Sequence, residues 1–190
     1  VGINWTDKKY YVGLAQETHN DYFAVSGTAS TATAGSIYNA AAGLRSQDTA
    51  TRLSFGYRVS GIRIGADTST LKYTETSTQA NGFQSYKTTT YQVTGEYDLN
   101  SQITLAAQYA NNAAGNCTLN GTISCSTAGL GGNLVGFGAK YNLDKNFAIF
   151  ALAAKGSANS GAVISLGSGA GKTAIGGTIN AAAVGIQAKF

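Results

Sequence analysis

The chain of 190 residues has no proline, no methionine, a single histidine and two cysteines. Only 12% of its residues are charged, which is too few to cover the polar faces of amphipathic helices. No apolar run approaches the roughly 18 residues that a transmembrane helix needs. The basic residues form no cluster and no nucleic-acid-binding motif is present, so we expect no nucleic-acid partner.

Apolar and polar residues alternate in several segments, a pattern typical of β-strands with two different faces. Leu53, Phe55 and Tyr57, for example, alternate with Ser54 and Arg58. A strand that crosses a bilayer needs about 9 to 11 residues, with lipid on one side and the lumen on the other. The mean hydropathy of −0.06 fits this arrangement because the two faces cancel. We therefore predict an all-β fold, an antiparallel transmembrane β-barrel, with residues 1–190 as one domain.

About nine strands are predicted, joined by short polar turns at one end and long loops at the other. Strands running toward the short turns are expected at 50–59, 88–99, 133–143 and 179–190, and the following strands at 10–20, 61–75, 102–111 and 147–157. Residues 1–5 end in the same way as the strands before the short turns. Long loops are expected at 21–49, 76–87, 112–132 and 158–178. This asymmetry is that of bacterial outer-membrane barrels, whose short turns face the periplasm.

An aromatic residue stands two or three positions before each short turn, and another ends the chain. Amphipathic rings prefer the interface between membrane and water, so these residues are predicted to form an aromatic girdle. They are Trp5, Tyr57, Tyr97, Tyr141 and Phe190.

Charged side chains are predicted to face the lumen, because a charge at the middle of the hydrocarbon costs about 2 to 4 kcal/mol. The predicted pore-lining residues are Arg52, Arg58, Arg63, Asp67, Gln92, Glu96, Gln108 and Lys140. The three arginines either form a basic row that favours anions, or they pair with Glu96, Asp98 or Asp67. In 147–157, placing Lys155 in the lumen directs Phe150 and Leu152 to lipid.

Most other inward positions carry small residues, which would fill a narrow barrel poorly and suit a wide one. Counting residues 1–5 gives nine strands, whereas single-chain bacterial barrels have an even number. The chain is therefore expected to be the C-terminal portion of a longer polypeptide. The alternative is a complete eight-stranded barrel with a structural or adhesive role.

Cys117 and Cys125 flank an Asn120-Gly121 turn signal. A three-residue loop between them would place the two cysteines opposite each other, within disulfide distance. A disulfide here implies an oxidising compartment, and two free thiols are the alternative. The spacing is wrong for a zinc site, so no metal is expected.

No residue pattern specifies a catalytic site, and we expect neither an enzyme nor a cofactor. His19 lies beside Glu17 and Asp21, so a barrel hydrolase with a histidine base is the less favoured alternative. Residues 162–173 resemble a phosphate-binding loop, but Leu166 occupies a position where that motif requires glycine.

Three segments resemble the general porins of Gram-negative bacteria. The run Tyr141-Asn-Leu-Asp-Lys-Asn-Phe-Ala-Ile-Phe-Ala is similar to the penultimate hairpin of that family, and Ala183-Val-Gly-Ile-Gln-Ala-Lys-Phe190 is similar to its C-terminal strand. The segment from Trp5 to Asp21 looks like a hairpin from the middle of the chain. Asp144-Lys145-Asn146 departs from the Ser-Lys-Arg turn that is more frequent there.

The resemblance implies a 16-stranded barrel, a homotrimer and passive diffusion of small hydrophilic solutes and ions. It places the protein in the outer membrane of a Gram-negative bacterium, with outer-membrane lipid and lipopolysaccharide as partners. It also implies that the inward-folded constriction loop belongs to an N-terminal half that precedes this chain.

Overall fold

The computed structural model describes residues 1–20, 46–75, 83–119, 123–163 and 173–189. The strands are β1 (Gly2–Thr6), β2 (Tyr10–Asn20), β3 (Ser46–Val59), β4 (Ile62–Glu75), β5 (Phe83–Asp98), β6 (Ile103–Asn112), β7 (Asn116–Leu119), β8 (Ile123–Ser124), β9 (Gly132–Asn142), β10 (Phe147–Ala158) and β11 (Thr178–Ala188). No helix in these ranges is long and apolar enough to cross a bilayer.

All strands belong to one antiparallel sheet, which confirms the predicted all-β fold. Nine of them follow one another in chain order as β1-β2-β3-β4-β5-β6-β9-β10-β11. The small hairpin β7–β8 lies off this path and attaches to β5 beyond the end of β6. Within the described residues, β1 and β11 each pair with a single neighbour and form the two edges of the sheet.

The four short turns lie at one end of the sheet, which we call the short-turn rim. In three of them a side-chain oxygen at the first turn position accepts the backbone N–H groups two and three residues later, as in Asx turns. Asp7, Asn100 and Asp144 are these acceptors, with distances of 2.6 to 2.9 Å. The fourth turn, Ser60-Gly61, has two positive φ angles, 41° and 82°, as a type I′ hairpin requires. The opposite end is the long-loop rim.

Two strands begin earlier than predicted, β3 at Ser46 rather than residue 50 and β5 at Phe83 rather than residue 88. Near the long-loop rim residues 46–49 are polar on both faces, and residues 84–90 are polar apart from Tyr86, so the alternation that predicted the rest is lost there. Backbone hydrogen bonds with β4 nevertheless continue up to Thr74 and Glu75. Pairing between strands therefore extends beyond the amphipathic segment.

The strand register divides the side chains between two faces, since directly opposed residues share a face. Phe55, Ala66 and Val93 form one cross-strand row on what we call the outer face. Phe55 and Val93 are 44% and 50% exposed, so the apolar outer face does not pack into a dry core. The neighbouring row, with Ser54, Asp67 and Gln92, lies on the inner face.

The predicted register of β10 is wrong. Lys155 lies opposite Val135 and Asn180 on the outer face, which places Phe150 and Leu152 on the inner face. The reason is packing against glycine: the Phe150 ring occupies the space where a Cβ of Gly185 would be, and Leu152 does the same at Gly138. Large apolar side chains can lie flat across the inner wall where the facing residue has no side chain.

Candidate functional site: the polar inner wall

All eight predicted pore-lining residues lie on the inner face. Arg52 and Arg58 belong to β3, and the others follow on β4, β5, β6 and β9: Arg63, Asp67, Gln92, Glu96, Gln108 and Lys140. The structure thus brings them together on one polar wall that crosses five strands. Their role in transport stays a prediction.

Arg58 and Arg63 are directly opposite each other in the pairing of β3 with β4. Arg63 turns away from this like charge toward β5. Its Nε donates to Glu96 at 2.6 Å, and its two terminal nitrogens donate to the Asp98 carboxylate at 2.6 Å each. The Thr104 hydroxyl also donates to Asp98 at 2.8 Å. The charge of Arg63 is therefore neutralised within the wall.

Arg52 is paired more loosely, since its guanidinium lies 3.2 Å from Asp67 and is 59% exposed. Of the two interpretations of the arginines, pairing with acidic residues is what the structure shows for Arg52 and Arg63. Neither Arg58 nor Lys140 forms an ion pair with any described residue. These two side chains are the unpaired cations of the described inner wall.

Two of the depressions on the inner face lie beside predicted pore-lining residues. One of about 690 Å³ lies at the short-turn rim and is lined by Arg58, Arg63, Glu96, Asp98 and Lys140, together with turn residues. A second, of about 520 Å³, lies higher on the wall, between Arg52 and Asp67 and over Gly13, Ser54 and Gly65. These depressions form where small inward-facing residues stand beside longer charged side chains.

His19 lies on the inner face near the long-loop rim, opposite Asp48. Its Nδ1 is 3.0 Å from Asp48 and its Nε2 is 2.7 Å from Glu17. Both ring nitrogens thus lie within hydrogen-bond distance of a carboxylate. Asp21, the other acid considered for a hydrolase, lies outside the described residues, as does most of the segment that resembles a phosphate-binding loop.

The predicted disulfide between Cys117 and Cys125 is present, and the loop predicted between these cysteines, 120–122, lies outside the described residues. The sequence did not indicate that this hairpin pairs with β5 beyond the end of β6. Cys117 and Leu119 join Tyr73 and Tyr86 in an apolar cluster on the inner face at the long-loop rim. The cluster was missed because its members come from three distant segments, each too short to show a period.

The predicted girdle residues Trp5, Tyr57, Tyr97 and Tyr141 all lie on the outer face near the short-turn rim. Phe190 lies outside the described residues. The Tyr10 ring packs beside Tyr57 with centroids 5.2 Å apart. Two outer-face rings closer to the opposite rim, Tyr91 and Tyr109, were not predicted as a second belt.

No protein-family model and no curated protein matches the chain. Its structure is similar to that of OmpT (in-vitro folded), an outer membrane protein of Vibrio cholerae, with a TM-score of 0.64 and 14% sequence identity. The match covers 98% of this chain and 53% of that one, so the chain spans about half the length of its structural neighbour. At this identity the likeness shows the fold alone, an antiparallel β-barrel wall. It does not identify the chain as a trimeric porin, and it does not decide for or against catalysis.

Proposed function

We propose that this chain forms part of the wall of a water-filled outer-membrane channel, a porin, for passive diffusion of small hydrophilic solutes and ions. The observation that carries the proposal is the separation of charge between the faces. The chain has nine acidic residues, and six of them lie on the inner face of the strands: Glu17, Asp48, Asp67, Glu75, Glu96 and Asp98. Carboxylates gathered on one face require water on that side.

A wide barrel is supported by the unpaired edges of the sheet. In lipid, every backbone polar group needs a hydrogen-bond partner, so an open sheet edge is not stable there. Within the described residues β1 and β11 do not pair with each other. Further strands between them would satisfy both edges and give a lumen wide enough for water, as in barrels of about 16 strands.

Planar-bilayer recording on the full-length mature protein tests the proposal. A trimeric channel predicts large, steady conductance steps that close in groups of three. Insertion without measurable conductance would contradict the channel and would favour the alternative, a filled barrel with a structural or adhesive role.

A further inference from the structure

The outer face of the described strands carries charge of one sign only. Its charged residues are Lys72, Lys87 and Lys155, whereas every acidic residue of these strands lies on the inner face. In the ranges that the structure leaves undescribed, the sequence contains only one acid, Asp21. Among the described residues, the positive charge of the outer face is therefore not balanced by carboxylates on that face.

Lys72 and Lys87 are directly opposite each other in the pairing of β4 with β5. Both are exposed, and neither forms an ion pair with a described residue. Like charges directly opposite across a strand pair are destabilising. Arg63, which also faces a like charge, is neutralised by Glu96 and Asp98, but the lysine pair has no such acid on its own face.

The pair lies above the apolar band, on the side of the long-loop rim. Lys87 precedes Tyr91 by four residues in β5, which places it about 13 Å closer to the long-loop rim at the rise of an extended strand. One cross-strand row contains Thr49, Lys72, Lys87 and Asn116. The next row toward the membrane contains Thr70 and Thr89, whose hydroxyls are 3.3 Å apart. The neighbours of the two lysines in these rows thus carry hydroxyl and amide groups.

We propose that Lys72 and Lys87 dock a phosphate group of the glycolipid in the outer leaflet, with the neighbouring hydroxyl and amide groups contacting its sugars. A phosphate between the two ammonium groups replaces their repulsion by two charge-assisted hydrogen bonds. Long lysine side chains can reach along the surface toward such headgroups. This inference rests on the outer-membrane location in the proposed function and does not require the pore to conduct.

The test measures binding of diphosphorylated lipid A to the full-length mature protein in zwitterionic micelles with EDTA. The variant is K72Q/K87Q, and the matched control is K8Q/K145Q, which removes two lysines from turns at the opposite rim. We expect K72Q/K87Q to bind lipid A about 25-fold more weakly, since each lysine near an anionic lipid surface contributes a factor of about five. The control should bind like the wild type.

A second readout separates docking from a general loss of structure. Without lipid A, K72Q/K87Q should unfold at a higher temperature than the wild type, because the repulsion is removed. Lipid A should raise the unfolding temperature of the wild type but not that of the variant.

Wild-type affinity in K72Q/K87Q, an equal loss in the control, or the same thermal shift with inorganic phosphate alone would each overturn the inference. Conductance is recorded separately and should not change in K72Q/K87Q. A protein that binds lipid A but never conducts would refute the channel and leave the lipid site standing.

Discussion

Single side chains stabilise the turns of the short-turn rim. Three of its four turns use the same acceptor geometry, in which one Asp or Asn oxygen satisfies two backbone N–H groups that the strands leave unpaired. The turns could be predicted from the sequence because Asp and Asn favour this motif.

Asp7 makes stability depend on pH. Hydrogen bonds from the backbone N–H groups of Tyr10 and Lys9 lower the pKa of its carboxyl below 3.8. Since the folded-state pKa is depressed, the contribution is present above pH 3.8 and is lost as the pH falls through the lower folded-state value. Asp7→Asn keeps an acceptor but does not titrate. The difference in urea stability between the wild type and this variant should therefore shrink as the pH falls below 3.8, and a constant difference would contradict the assignment.

At the scale of elements, strand positions could be predicted wherever one face is apolar and the other polar. The prediction failed for β10, whose residues are apolar on both faces. Its register depends on Gly138 and Gly185 of the neighbouring strands, which no local pattern reveals. The pairing of the disulfide hairpin with β5 was missed for a similar reason, because it joins segments that are distant in sequence.

The β10 register predicts a specific coupling between Phe150 and Gly185. Gly185→Val should lower the free energy of unfolding by about 1 to 3 kcal/mol, since the new side chain would overlap the Phe150 ring. In a Phe150→Ala background the same substitution should cost clearly less. The control is Ala181→Val, on the same strand and face but opposite Ala154. Urea unfolding in micelles measures all four variants, and equal costs for Gly185→Val and Ala181→Val would exclude the proposed packing.

At the scale of the whole molecule, the ion pairs between strands decide which charges of the inner wall stay unneutralised. The sequence could place the charged residues on one face. It could not predict that Arg63 pairs with both Glu96 and Asp98 while Arg58 has no acidic partner among the described residues, because these contacts depend on the register of three strands. Whether the wall belongs to a larger barrel is decided by the intact mass of the mature protein from its native membrane. A porin predicts about twice the 19.4 kDa of this chain, and the small barrel predicts that value itself.

Arg58 and Lys140, which form no ion pair with a described residue, should offset part of the negative charge that the six inner-face acids give the channel. In R58Q/K140Q the reversal potential in a salt gradient should shift further toward cation preference, because the excess of acids on the described wall would then grow. Lys155→Gln, a change on the outer face, is the control and should leave the potential unchanged. An unaltered potential in R58Q/K140Q would show that these side chains do not face the permeating ions.

The assignment of the two faces is the claim on which the channel depends, and adjacent residues of β3 test it directly. Ser54 lies on the inner face and Leu53 on the outer face. In planar bilayers, a charged water-soluble thiol reagent should change the single-channel conductance of Ser54→Cys and leave Leu53→Cys unaffected. A response of Leu53→Cys without one of Ser54→Cys would contradict the account.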